Sequence, residues 1–177
     1  MEPYEIDEAL KTFQIIVDTR EHDTPKARKR IKAFGVPTCR LTLDYGDYCG
    51  NITINDEPLH ISGDRIRAAC VIERKQSLDE LAGNLTRGRA RFQREFERAR
   101  EANAKVYLLV ENGSYEAILQ HRYRSRLHPN AFIASLVAWS IRYDMTPVFC
   151  KDDTSARMIR EILYRDIKER LERGDYG

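Results

Sequence analysis

A chain of 177 residues, 42% of them hydrophobic, has enough material for one globular core. Thirty basic and 28 acidic residues leave a net charge of +2, which by itself does not mark a nucleic-acid binder. Cys39, Cys49, Cys70 and Cys150 are scattered without a C-x-x-C pair, and no apolar run is long enough to span a bilayer; these features exclude a disulfide framework, a structural zinc site and a membrane span.

The acidic N-terminus, "MEPYEIDEALKTF", lacks the apolar core of a signal peptide. An intracellular location is expected, cytoplasmic in a prokaryote or virus and nuclear in a eukaryote. Residues 1–12 read as a polar lead-in to a single domain over 13–172. "FQIIV" (13–17) is a first strand that ends at "DTRE". A helix follows over 24–35, with Thr24 as cap, Pro25 at its first position and Gly35 as stop. "VPTCRLTLDYGDY" (36–48) alternates as a second strand closing at Gly46, and "NITIN" and "LHIS", separated by "DEP", predict an inserted hairpin near 49–63.

"AACVIERK" (68–75) is the next strand. Ser77 and Glu80 form a capping box for a helix that Gly83 and Gly88 interrupt before "RARFQREFERAREAN" resumes it. "KVYLLVE" (105–111) is a continuous apolar run, as in buried parallel strands. A short helix near 114–120, an apolar helix from Pro129, the strand "TPVFC" and an amphipathic helix bearing Ile159, Ile162, Leu163 and Ile167 complete the chain. This order predicts an α/β fold, a mixed central sheet with helices on both sides.

Charge is distributed unevenly. "KARKRIK" (26–32) holds five basic residues and no acid, "RGRARFQRE" (87–95) four arginines, and "HRYRSR" (121–126) three. Such patches suit phosphate contacts, although each one alone also reads as a solvated face.

The chemistry gathers at strand ends. Strand periodicity puts Glu73 and Lys75 on one face, which taken alone could be an ion pair. Asp47 ends the preceding core strand, after a glycine that permits a sharp turn, and Asp18 and Glu21 follow the first strand. Acids from three strand ends beside one lysine suit metal-dependent phosphodiester cleavage. Mg²⁺ prefers such hard oxygen ligands, and the ammonium would sit where phosphate charge develops.

These residues carry a resemblance. "GD" (46–47), "ERK" (73–75) with Asp79 beyond, the upstream "DTRE" (18–21), and Gly88–Arg89 before Phe92 resemble the nuclease domain of XPF-type structure-specific endonucleases, a branch of the restriction-endonuclease-like fold. The likeness covers roughly residues 13–165. It implies that Asp47 and Glu73 bind Mg²⁺ or Mn²⁺ with the Arg74 carbonyl, that Lys75 is the catalytic lysine, and that Asp18, Arg20, Glu21 and Asp79 line the site. Asp79 also lies in a first helical turn, where an acid suits the dipole. The family dimerises through its nuclease domains, so a homodimer, or a heterodimer with a related subunit, is expected, with the apolar helix 129–143 as a surface. Trp139 reads as core or interface.

Two features depart from the family pattern. The hairpin lengthens the gap between "GD" and "ERK" and brings a second Gly-Asp, Gly63–Asp64, which competes for the metal role. The 177 residues also hold no recognisable helicase or tandem helix-hairpin-helix module. The expected activity is Mg²⁺-dependent endonucleolytic cutting of branched DNA in repair, recombination or replication. Arg87, Arg89, Arg91, Lys26, Arg28 and Lys29 are the expected phosphate contacts. A junction resolvase or exonuclease of the same fold, and a non-catalytic DNA-binding subunit, are the alternatives.

Overall fold

The structure is a computed structural model that describes residues 1–59, 61–62, 65–66 and 68–175. A six-stranded sheet is its centre. In spatial order the strands are β10 (Met145–Cys150), β9 (Lys105–Glu111), β8 (Cys70–Lys75), β3 (Tyr48–Asn51), β1 (Gln14–Asp18) and β2 (Thr38–Leu41). Only β3 runs against its neighbours; the other pairings are parallel. The mixed, helix-flanked sheet expected from the sequence is therefore present.

Alternation along the strands feeds two cores. Ile16, Cys49, Val71, Leu108 and Val110 point to one face, which is covered by α3 (Leu78–Leu85), α4 (Arg89–Glu101) and α6 (Pro129–Tyr143). Trp139 is core: it is 1% exposed and its ring meets Phe92, Phe96 and Tyr143. Ile15, Val17, Tyr48, Ile72 and Leu109 point to the other face. There α7 (Ser155–Arg173) lies so close to β3 that a Cβ on Gly50 would stand 2.7 Å from Ile167 Cδ1. The remaining helices are α2 (Pro25–Ala33) and α5 (Tyr115–Leu119).

The polar lead-in read over 1–12 is instead a helix, α1 (Pro3–Lys11). Glu2 and Glu5 form a reciprocal capping box and Pro3 occupies the first turn. Ile6, Ala9 and Leu10, spaced along one face, are buried in the α7 core. Four acids in the segment mask that stripe in a composition reading.

The strand expected over 36–48 is two strands. β2 ends at Leu41, and residues 42–47 cross to the middle of the sheet, where β3 begins. Asn51 belongs to β3 and not to the inserted hairpin. That hairpin is tighter than expected: β4 (Thr53–Ile54) pairs with β5 (Glu57–Pro58) across Asn55 and Asp56, whose φ values are 51° and 65°. Consecutive left-handed residues make the two-residue turn that suits the twist of a hairpin. A second short pair joins β6 (Ile61–Ser62) to β7 (Arg65–Ile66). Asp64, the competing candidate, lies outside the described residues with Gly63. Gly83 does not interrupt α3; the break falls at residues 86–88. No helix among the described residues is long and apolar enough to cross a membrane.

Candidate active site

The central three strands set the site. The Asp18 amide donates to the Asp47 carbonyl (2.9 Å) and the Asp47 amide to the Ile72 carbonyl (2.8 Å). Asp47 thus continues the ladder just before β3, level with Asp18 on one side. The register that pairs Tyr48 with Ile72 sets Asp47 opposite Glu73 on the other. Asp18, Asp47, Glu73 and Lys75 all fall on the α3–α4 face. β3 is antiparallel, so Asp47, just before it, meets the C-terminal ends of β1 and β8.

Gly46 makes this approach possible. Its φ is +74°, and a Cβ there would lie 2.8 Å from Val71 Cβ. Both conformation and space demand glycine.

Glu73 and Lys75 are 5% and 7% exposed, and Lys75 Nζ donates to Glu73 Oε1 at 2.7 Å. Nζ also sits 4.7 Å from the centre of the Phe92 ring. Asp47 Oδ2 accepts the Arg74 amide at 2.8 Å. Burial, then the charge of Glu73, push the Asp47 carboxyl well above its ordinary pKa. Burial likewise raises Glu73, with Lys75 opposing it. Burial disfavours the Lys75 ammonium, yet Glu73 and Asp47 outweigh it and its pKa rises. Two carboxylates and one ammonium leave a negative balance in a poorly hydrated place.

Asp18 does not share this state. Its Oδ1 accepts the Arg20 amide (2.6 Å) and Nε (2.8 Å), and its Oδ2 accepts Arg20 Nη2 (2.9 Å) and the Leu43 amide (2.8 Å). Burial works against its charge, but these donors prevail and lower its pKa. Asp18 therefore ties the 42–47 crossover to β1, and Arg20 is its clamp. The three converging acids expected from the sequence reduce to two. Among the described residues, no three His, Cys, Asp or Glu side chains gather as a metal-ligand group.

On the opposite face lies a second charged cluster. Arg30 donates to Glu21 Oε1 (2.9 Å), Glu111 Oε1 (3.1 Å) and Tyr48 Oη (3.1 Å). Arg74 donates to Glu111 Oε2 (3.0 Å), and Tyr48 Oη to Glu21 Oε1 (3.0 Å). Two guanidiniums and two carboxylates balance. Glu21 is bonded into this cluster, yet it also lines the cleft, and its charge acts on Asp47. The sequence reading missed Arg30, Tyr48 and Glu111. The signal was present: Ala27, Arg30 and Phe34 are spaced as one helical stripe, and Glu111 closes an apolar strand parallel to the one bearing Arg74.

The cleft above Asp47 and Glu73, about 1040 Å³, includes Lys26, Arg91 and Arg124 on its walls. Arg87 lies outside it. Arg89 leans on Trp139, 5.4 Å from the ring centre, and donates to the Leu85 carbonyl. Arg28 faces Asp23, and Arg28 and Lys29 stand off the cleft. Asp79 turns away, accepting the Arg124 and Ser125 amides at 2.7 and 2.9 Å. Lys26 and Arg91 are thus the expected phosphate contacts that border the site.

A mixed sheet whose antiparallel strand delivers an acid to the ends of parallel neighbours defines the class: the restriction-endonuclease-like arrangement of the XPF nuclease fold. The chain belongs to the ERCC4 domain family, whose sequence profile matches residues 17–162. It is similar to XPF from Aeropyrum pernix at 20% identity, over 92% of this chain and 69% of that one, with a TM-score of 0.62. A second solved structure, XPF from Aeropyrum pernix in complex with DNA, is 22% identical over 88% of this chain and 65% of its own length, with a TM-score of 0.60. The chain therefore spans about two thirds of those structures. No curated protein matches it.

Proposed function

We propose that this chain is a Mg²⁺- or Mn²⁺-dependent DNA endonuclease that cuts branched DNA. The observation that carries the reading is the Asp47–Glu73 pair, opposed on adjacent strands and joined by Lys75. Family membership, and a similar structure solved with DNA, support it.

The donor set fits a hard divalent cation. Burial holds both carboxyls above their ordinary pKa, with the Glu73 charge adding to it at Asp47 and the Glu95 charge at Glu73, a condition that a cation between Asp47 and Glu73 relieves. Asp47 and Glu73 would hold the ion, with the Arg74 carbonyl. When bound, it supplies Lewis-acid charge at the phosphate and makes a nearby water more acidic. Lys75, fixed by Glu73 and the Phe92 ring, adds positive charge where the phosphate becomes more negative. The Arg74 amide keeps Asp47 oriented. Lys26 and Arg91 at the walls suit neighbouring phosphates.

Cutting of labelled flap, junction and blunt duplex tests this reading. Flap cutting with Mg²⁺ is expected to stop in EDTA, and to fall on the order of 100-fold or more in Lys75→Ala. Undiminished cutting in EDTA would remove the metal from the reading. Exclusive cutting of the junction, or of duplex ends, would replace flap cleavage with resolvase or exonuclease activity. No cutting by any preparation leaves a non-catalytic subunit.

The chain would act as a dimer through α6. Ala131, Ala134, Val137, Ala138 and Ile141 are exposed on it, Ile141 at 80%, and no charge falls between Pro129 and Ile141. An uncharged helical face can pair with its own copy across a two-fold axis. Sedimentation should give a dimer for the wild type and a folded monomer for Ile141→Lys. A monomeric wild type at micromolar concentration would refute it.

A further inference from the structure

We infer that the loop over 121–127 is a rigid comb of arginines that grips the phosphate backbone of the DNA beside the catalytic cleft, and that Asp79 is its positioning residue. This rests on the nuclease reading. Arg122, Arg124 and Arg126 are exposed at alternate positions, while Tyr123, Ser125 and Leu127 between them are partly buried. Arg124 has only a loose contact with Asp79, 3.5 Å, and its side chain is 94% exposed. Among the described residues no carboxylate lies within ion-pair distance of Arg122 or Arg126. Arg122 acts on Glu116 only at longer range, so the three guanidiniums are only loosely engaged by carboxylates.

The loop is also held firmly. Asp79 takes the amides of Arg124 and Ser125 at the moment the chain turns. Tyr123 Oη donates to the Leu127 carbonyl (2.6 Å), and its ring packs edge-on against Phe132 at 5.2 Å. His121 Nε2 meets the Ser125 carbonyl at 2.9 Å. Holding the backbone leaves only the long side chains free to find phosphates, which lowers the ordering cost of binding. Position completes the case. A cavity of about 590 Å³ lined by Arg87, Arg124 and Arg126 adjoins the catalytic cleft, and Arg124 borders both. Arg87, which lies off the cleft, becomes the opposite wall of this second surface. Arg124 thus links the catalytic cleft to this second surface, whose lining also includes Asp79.

Phosphate contact of this kind has a distinctive readout, because each neutralised phosphate releases counterions. The measurement is anisotropy of fluorescent flap DNA across a salt series, with the full chain and with R122A/R124A/R126A. The variant is expected to bind on the order of 10- to 100-fold more weakly at low salt, with a slope of log K against log salt flatter by about 2 to 3. R122A/R126A, which keeps the cleft-lining Arg124, is expected to retain the wild-type rate at saturating DNA, because neither arginine removed lines the cleft of Asp47, Glu73 and Lys75. Asp79→Ala should raise KM and leave kcat, whereas Asp79→Asn, which can still accept both amides, should stay close to wild type. A wild type that cuts and binds DNA, beside a triple variant of unchanged slope, overturns the comb alone. A loss of kcat without change in KM in Asp79→Ala overturns the positioning role. A wild type that binds no DNA overturns the nuclease reading, and the comb with it.

Discussion

Asp47→Asn is expected to lose cutting on the order of 10³-fold and yet to melt higher than the wild type at neutral pH. Both effects have one source. Burial and the Glu73 charge raise the folded-state pKa of Asp47, so the folded protein binds its proton more readily than the unfolded chain does. Stability then falls as pH rises from the unfolded value, near 4, through the raised folded value, and stays reduced above it. Asparagine carries no charge to desolvate and can still accept the Arg74 amide through its carbonyl oxygen. The gain at neutral pH is on the order of 1 kcal/mol, as for relief of a functional strain, and should vanish toward pH 4. Mg²⁺ should raise the melting temperature of the wild type and leave the variant unmoved. Melts over this pH range, with Asp64→Asn run in parallel, decide the matter. If Asp64→Asn alone loses both cutting and the Mg²⁺ response, the ligand is Asp64.

The largest stability loss is expected from Glu111→Ala. Glu111 is 4% exposed and receives one guanidinium on each oxygen, Arg30 on one and Arg74 on the other. Removing it leaves two positive charges in a low-dielectric interior with Glu21 as their remaining carboxylate. Breaking a buried pair from one side costs about 3–5 kcal/mol. Glu111→Gln keeps an acceptor for one guanidinium and should lose less. Urea unfolding measures both. Activity should fall more than the folded fraction explains, because Arg74 presents its amide to Asp47 and its side chain to Glu111. A cost in Glu111→Ala below about 1 kcal/mol would show that the cluster does not hold β8 and β9 together.

The sequence made the site more legible than its surroundings. "GD" and "ERK" are local patterns, and strand alternation is enough to put Glu73 and Lys75 on one face. What periodicity cannot reveal is the partner that satisfies each acid. Asp18 has the same strand-end context as Asp47, and only the fold shows that Arg20 and the Leu43 amide claim it entirely. Arg30 was hidden in a basic run, because four of its five cations are solvated and the fifth is core. The reading of 36–48 as one strand failed for a related reason. The residues alternate well enough, but β2 is an edge strand parallel to β1, and its continuation must turn back to reach the centre. The glycine at 46, whose φ in the structure is +74°, was the one sign of that turn in the sequence. α1 was lost among its acids.

The lone antiparallel strand has one more consequence. β3 leaves the cleft at Asp47 and β8 returns to it at Lys75, so β3 ends at Asn51 and β8 begins at Cys70 at the far rim of the sheet. Chain added there slides neither carboxylate along its strand. The distance between the two motifs along the chain can therefore change while Asp47 and Glu73 stay opposed, and their spacing says little about the reactive geometry.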